Sequence, residues 1–361
     1  MSNIIQEIFR TYGSAYTEKF GQQMPTSHHK VISAIRHCGT THFGVHAFVC
    51  DDCHDVHRTG SCCGNRHCPV CQAGKSDDWL RKQVAKALPV KTFMITFTVP
   101  EELRRLIRSN QEVCYAALFK AASDAMKKLA KDPRFVGCDI AGFTGILHTW
   151  TRQLEYHPHI HFIVPGGGID QDGTEWKSSR ADLFVHAKPL SKIYRAKFLE
   201  SLKEAGLEIP YGVWKKDWVV DARNVGNGKK ALKYLAQYVF RVAISPRRII
   251  RVADGRVTFR YQRSGEKKWK TCTLDVFEFM RRFLQHTLPH GFTKIRHYGY
   301  LSPSSRTPLQ KIRELICRLY ELIVPPSAEP THPPAKKKPW ICEHCGGTIH
   351  WHKFTSPKKN E

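Results

Sequence analysis

The segment His157-Pro158-His159-Ile160-His161-Phe162-Ile163-Val164 pairs two imidazoles around a hydrophobe. On a strand, residues two apart face the same side, so His159 and His161 point together while Ile160 and Phe162 face the other way. Two neutral imidazoles with a third position left open make a catalytic metal site in outline, and a histidine-rich strand without metal is the plainer reading. Downstream, Lys229-Lys230-Ala231-Leu232-Lys233-Tyr234-Leu235-Ala236-Gln237-Tyr238 sets Tyr234 and Tyr238 one helical turn apart. Their hydroxyls would share one face while Leu232, Leu235, Val239 and Val242 bury another. An aromatic core stripe is the alternative for such a pair taken alone.

Cysteine carries the second signal. Cys50-x-x-Cys53 is followed by Cys68-x-x-Cys71, and two such knuckles at short separation predict one tetrahedral structural zinc site on Cys50, Cys53, Cys68 and Cys71. Four thiolates leave no open position, so this ion would fold the module and not catalyse. A further zinc would draw on His57, Cys63 or His67, and the tail's Cys342-x-x-Cys345, with His350 and His352 behind it, is another candidate knuckle. Arg58, Arg66, Lys75 and Lys82 lie near the first module and suit phosphate contacts.

The elements that must position these groups follow from patterning. Ile4, Ile5, Ile8, Phe9 and Tyr12 have helical spacing, and Val31, Ile32 and Ile35 suggest a second short helix. Residues 50–71 hold few large apolar side chains and need a staple. Residues 76–88 read as a helix, residues 92–99 as a strand, and residues 101–130 as one or two helices. Strands are expected over 143–150, 159–164 and 214–220, then a helix over 229–242 after the break at Gly226-Asn227-Gly228. A hairpin is predicted around Asp254-Gly255, with a third strand over 269–274 and a last substantial helix capped by Asp275. The whole is α+β, a mostly antiparallel sheet with helices on one face, preceded by a small zinc-binding module.

The organisation expected is a helical and zinc-binding module over 1–90, a catalytic domain over 91–300, a helical extension over 301–324, a Pro/Lys-rich linker over 325–340 and a small Cys/His tail module over 341–361. The formal net charge of +25 on 361 residues implies a polyanionic partner, and nucleic acid is the commonest one. No run of about eighteen apolar residues exists to span a membrane. The N-terminus has no secretory pattern, so the 13 cysteines are read in a cytoplasmic, reducing setting as metal ligands or buried thiols.

Taken together, the zinc module, the His-x-His strand and the Tyr-x-x-x-Tyr helix resemble the rolling-circle insertion-sequence transposases of the HUH (His-hydrophobe-His) two-tyrosine class, the IS91 family. The resemblance rests on Asn65-Arg66-His67-Cys68-Pro69-Val70-Cys71-Gln72, on His148-Thr149-Trp150 ahead of the histidine run, and on Tyr234 to Tyr238 leading to Arg241-Val242-Ala243-Ile244-Ser245. Thr151-Arg152 departs from the Gly and polar amide expected after that Trp.

The resemblance implies an HUH-endonuclease-like sheet and metal-dependent cleavage and rejoining of DNA through a 5′-phosphotyrosine on Tyr234 or Tyr238. It implies Mg²⁺ or Mn²⁺ on His159 and His161, with His148 as the third ligand and His157 or Gln237 as its rivals. Lys229, Lys230 and Lys233 would hold the strand by its phosphates, and the substrate would be single-stranded or hairpin DNA at the element's ends, with no ATP. A replication initiator or relaxase of the same chemistry is one alternative. A zinc-dependent DNA-binding derivative without catalysis is the other.

Overall fold

The computed structural model describes residues 3–240, 243–262, 266, 268–323 and 340–356. The chain runs α1 (Ile4–Phe20), α2 (Thr26–His37), β1 (Val45–Cys50), β2 (Val56–Gly60), α3 (Lys75–Ala85), β3 (Thr92–Thr98), α4 (Glu101–Ser109) and α5 (Gln111–Ala130). It continues through β4 (Ile140–Ala141), β5 (Phe143–Trp150), β6 (Tyr156–Pro165), β7 (Gly167–Ile169), β8 (Trp176–Ser178), α6 (Ala187–Glu204), β9 (Val220–Asn224) and α7 (Lys229–Val239). Last come β10 (Ile249–Ala253), β11 (Arg256–Gln262), β12 (Trp269–Asp275), α8 (Val276–Leu284), β13 (Ile295–Tyr298), α9 (Leu309–Leu319), β14 (Trp340–Ile341) and β15 (Thr348–Thr355). The linker read over 325–340 lies outside the described residues except for Trp340.

Contacts divide the chain into two units. One gathers Met1–Lys75, Phe240–Thr287 and Pro330–Glu361, the other Ser76–Val239 and Leu288–Glu329. Residues 240–287, counted in sequence with the catalytic domain, therefore pack with the N-terminal segment.

The second unit is built on a five-stranded sheet in the order β13-β5-β6-β3-β9, antiparallel throughout. Alternation along β3 sends Phe93, Ile95 and Phe97 into a core with Ile160, Phe162 and Val164 of β6. Leu103 and Ile107 of α4, Leu118, Phe119 and Met126 of α5, and Tyr194 and Phe198 of α6 fill the same core. Each such aromatic, wholly removed from water, contributes about 1.5–3 kcal/mol. Gly145 of β5 sits opposite Phe162, and a Cβ there would meet the Phe162 ring at 2.5 Å. A second, smaller core of Leu88, Ile169, Trp176, Tyr300, Ile312 and Ile316 seats α9 against the sheet β4-β7-β8.

Several elements differ from expectation, and β1, β2 and β15 are strands where none was expected. Residues 214–220 are not a strand: Trp218 is buried and donates its indole N–H to the Val213 carbonyl at 3.2 Å, packing against Tyr194 and Phe198. The strand begins only at Val220. Helix α6 carries Leu190, Tyr194, Phe198 and Leu202 on one buried stripe, a four-residue period that the sequence reading passed over.

The first unit pairs α1 with α2 and packs Phe9 edge-on against Phe283 of α8 at 5.2 Å between ring centroids. Asp275 caps α8 by accepting from the Phe277 N–H at 2.8 Å, as its position predicts. The strands β10, β11 and β12 form one sheet, and β14-β15-β1-β2 forms another. In the latter the tail pairs antiparallel with β1, from Val45 opposite Thr355 to Cys50 opposite Ile349.

Candidate functional site

Three histidines converge on the sheet face opposite the core of the second unit. His159 and His161 lie on β6, and the register sets His148 of β5 directly across from His159. One ring nitrogen from each falls within 4.8 Å of the others. The His148–His161 and His159–His161 ring centroids are 4.7 and 4.8 Å apart. His159 donates its Nδ1–H to the His157 carbonyl at 2.7 Å, leaving Nε2 with its lone pair. His161 Nδ1 hydrogen-bonds the Thr96 hydroxyl of β3 at 2.8 Å, which orients that ring from behind in the same way.

Burial keeps all three rings neutral. It pushes His148 and His161 well below the ordinary imidazole value, and it holds His159 down to about 4 with help from the neighbouring His157. Neutral imidazoles turned toward one another in a dry setting are the donor set a divalent cation needs. His157 contributes its carbonyl to His159, and its own ring stays outside the group of three.

Helix α7 lies in the same unit as the histidines. Gly228, with φ +74°, turns the chain into it, and the Leu232 N–H bonds back to the Gly228 carbonyl at 2.8 Å. Ala231, Leu232, Leu235, Ala236 and Val239 are buried, and Leu232 lines a cleft with Thr144, Ile163 and His297 of the sheet. The C-terminal end of α7 is tied down through Lys294. Its ammonium donates to the Val239 carbonyl at 3.3 Å and sits 4.7 Å over the Trp150 ring, which stacks on His148. Tyr234 is 39% exposed, and Lys229, Lys230 and Lys233 are exposed beside it. The side chains of Gln237 and Tyr238 lie outside the described residues.

The cysteines read as one set fall into two. Cys68 and Cys71 meet Cys38 and Cys63, whereas Cys50 and Cys53 meet Cys342 and Cys345. In the first set, Cys38 and Cys63 each lie 3.5 Å from Cys71 between sulfurs. The edge of a tetrahedron with Zn–S bonds of about 2.3 Å is about 3.8 Å, and a disulfide needs about 2.05 Å, so this is ion-binding spacing. The hydrogen bond between Cys63 and Cys68 holds the Cys68 thiol down to about 5 and pushes Cys63 up. The division has a topological cause. β1 and β2 form a hairpin whose turn carries the first knuckle, while the second knuckle follows β2 and folds back on the end of α2. Cys38, the residue after α2, was missed because it stands alone in sequence with no partner at knuckle spacing. His57 reaches Cys342 at 3.3 Å, His67 is buried, and Arg66 is exposed.

Comparison with known proteins decides the family. Residues 8–99 match the "Transposase zinc-binding domain" and residues 142–308 match the family described as "Putative transposase". The "Putative transposase y4qJ" of Sinorhizobium fredii is 35% identical over 353 residues, taking in 91% of this chain and 87% of the relative. This chain belongs to the IS91 family of insertion-sequence transposases.

The "Transposase for insertion sequence element IS801" of Pseudomonas savastanoi pv. phaseolicola is 27% identical over 296 residues, 76% of this chain and 70% of that protein. No solved structure matches the chain. As a transposase it acts on DNA, cutting and transferring strands, and its net charge of +25 suits that partner. The family's zinc-binding domain contains the whole first cysteine set, which supports a structural zinc. The "Putative transposase" match spans β5, β6 and α7, and so carries all three histidines and both tyrosines. Among the described residues, no helix is long and apolar enough to cross a membrane.

Proposed function

We propose that this transposase cuts and rejoins DNA by tyrosine transesterification at the three-histidine face, moving its element by rolling-circle transposition. The observation that carries the reading is the convergence of His148, His159 and His161 within 4.8 Å, all neutral and two held from behind by hydrogen bonds. The sheet, with α4, α5 and α6 packed on one face and the histidines on the other, is read as the HUH-endonuclease architecture. A divalent cation on these nitrogens, Mg²⁺ or Mn²⁺, would polarise the scissile phosphate and offset charge as it builds. Imidazole ligands suit Mn²⁺ better on hardness.

Tyr234 or Tyr238 supplies the nucleophile. The phenol gives up its proton, its oxygen bonds the phosphorus, and the bond to the 3′-oxygen breaks, leaving a 5′-phosphotyrosine and a free 3′-hydroxyl. The phosphodiester energy stays in the adduct, so rejoining needs no ATP. Two tyrosines allow one cut end to be held while a second strand is cut. Lys229, Lys230 and Lys233 flank Tyr234 on the exposed side of α7, placed to hold the strand by its phosphates. Single-stranded or hairpin ends are the substrate, because a duplex would keep the target bond away from a site on a sheet face.

The test is a cleavage assay on labelled single strands from the element's own ends, with Mg²⁺ or Mn²⁺, run on a denaturing gel. A metal-dependent covalent protein–DNA adduct is expected from the wild type. It should vanish in the Tyr234→Phe/Tyr238→Phe double variant and fall by about 10²-fold or more in His161→Ala. DNA binding with no adduct on any cognate strand overturns the tyrosine mechanism.

A further inference from the structure

We propose that a second structural zinc ion occupies a split site on Cys50, Cys53, Cys342 and Cys345, and that it clasps the C-terminal tail onto the N-terminal sheet. Cys53 and Cys342 stand 289 residues apart in sequence, yet their sulfurs are 3.7 Å apart. The Cys50 and Cys345 sulfurs are 3.5 Å apart. Both values lie near the tetrahedral edge of about 3.8 Å and far from the disulfide length of about 2.05 Å.

The two halves of the site are the same turn made twice. The His54 N–H bonds the Cys50 carbonyl at 3.1 Å, and the Gly346 N–H bonds the Cys342 carbonyl at 2.9 Å. In each, the residue after the second cysteine is left-handed, with φ 57° at His54 and 79° at Gly346. Glycine accepts that conformation freely, whereas a histidine held there costs about 1–2 kcal/mol. A strained, non-glycine residue persists where something stronger holds the turn closed. Outside the sulfurs, His57 Nε2 lies 3.3 Å from Cys342 Sγ and 3.5 Å from the Asp55 carboxylate, the outer-shell arrangement that orients ligands around a metal.

Burial supplies the independent argument. Every side chain of β15 from His350 to Thr355 is exposed, and Trp340, Trp351 and Phe354 are exposed at 53%, 61% and 47%. The tail thus buries too little apolar surface to stay paired with β1 on that account, and a segment of this size needs a staple. Among the described tail residues, the deeply buried side chain is that of Cys342, at 2% exposure, beside Cys50 at 0%. The first cysteine set is complete without the tail, and the family's zinc-binding domain, residues 8–99, ends far short of it. The clasp is therefore a site of its own.

The experiment uses the full chain. Metal analysis of the wild type is expected to give two zinc ions per chain, and the Cys342→Ser/Cys345→Ser and Cys50→Ser/Cys53→Ser variants one each. Hydrogen exchange should show the β15 amides protected in the wild type and exchanging at least tenfold faster in both variants, while α1 and α2 keep their protection. One zinc in the wild type, two zinc ions retained in the tail variant, or unchanged β15 protection overturns the proposal. Should the variants fail to fold, the wild-type stoichiometry together with all-sulfur coordination in zinc X-ray absorption decides the matter. A wild type with two zinc ions of which one has nitrogen ligands overturns it.

Discussion

At the scale of single residues, the histidine face turns on hydrogen bonds behind the rings. His159 is fixed by the carbonyl of its own strand and His161 by a hydroxyl from the next, so each presents its other nitrogen. The same burial has a consequence for stability. In the folded chain His159 takes a proton only near 4, whereas in the unfolded chain it does so at 6.5. Below 6.5 the unfolded state binds more protons, so stability falls as the pH drops from 6.5 toward 4. His148 and His161, also depressed, act in the same direction. Urea unfolding without added Mg²⁺ or Mn²⁺ should show this slope, flattened by up to one proton in His159→Gln. A slope untouched by that substitution would count against a neutral His159.

At the scale of elements, α7 depends on how the chain enters it. Gly228 is left-handed at +74°, and a Cβ there would meet the Thr92 side chain at 2.9 Å. Gly228→Ala should therefore cost about 1–2 kcal/mol from backbone conformation alone, with the Thr92 contact adding to it. The urea midpoint reads this directly, and a neutral result would mean that the turn relaxes. The helix is held by Leu235 and Val239 beneath and by Lys294 at its end, so displacement of α7 should also slow cleavage.

At the scale of the whole molecule, charge governs the encounter with DNA. The excess of 57 Lys and Arg over 32 Asp and Glu makes binding an ion-release process. The logarithm of affinity for a single strand should fall linearly with the logarithm of salt concentration, by about 0.7 for each phosphate neutralised. Changing Lys229, Lys230 and Lys233 to Gln should lower that slope by about 2, measured by fluorescence anisotropy from low to moderate salt. An unchanged slope would place the strand elsewhere on the protein.

What the sequence determined by itself is what local period and local chemistry encode. Strand alternation puts His159 and His161 on one face, helical spacing marks α5 and α7, Asp275 announces a helix start, and two cysteine knuckles announce zinc. The family was legible too, because its motifs are short and contiguous. Only the tertiary structure decided which groups meet. His148 joins the other two because the β5–β6 register places it across from His159, and register across strands leaves no mark in either strand alone. The cysteines divide as they do because β1 pairs with both β2 and β15, which carries Cys50 to the tail and leaves Cys68 to close on Cys38. Spacing along the chain favours near neighbours, whereas a metal collects whichever thiols the sheet brings within about 4 Å, however far apart they are in sequence.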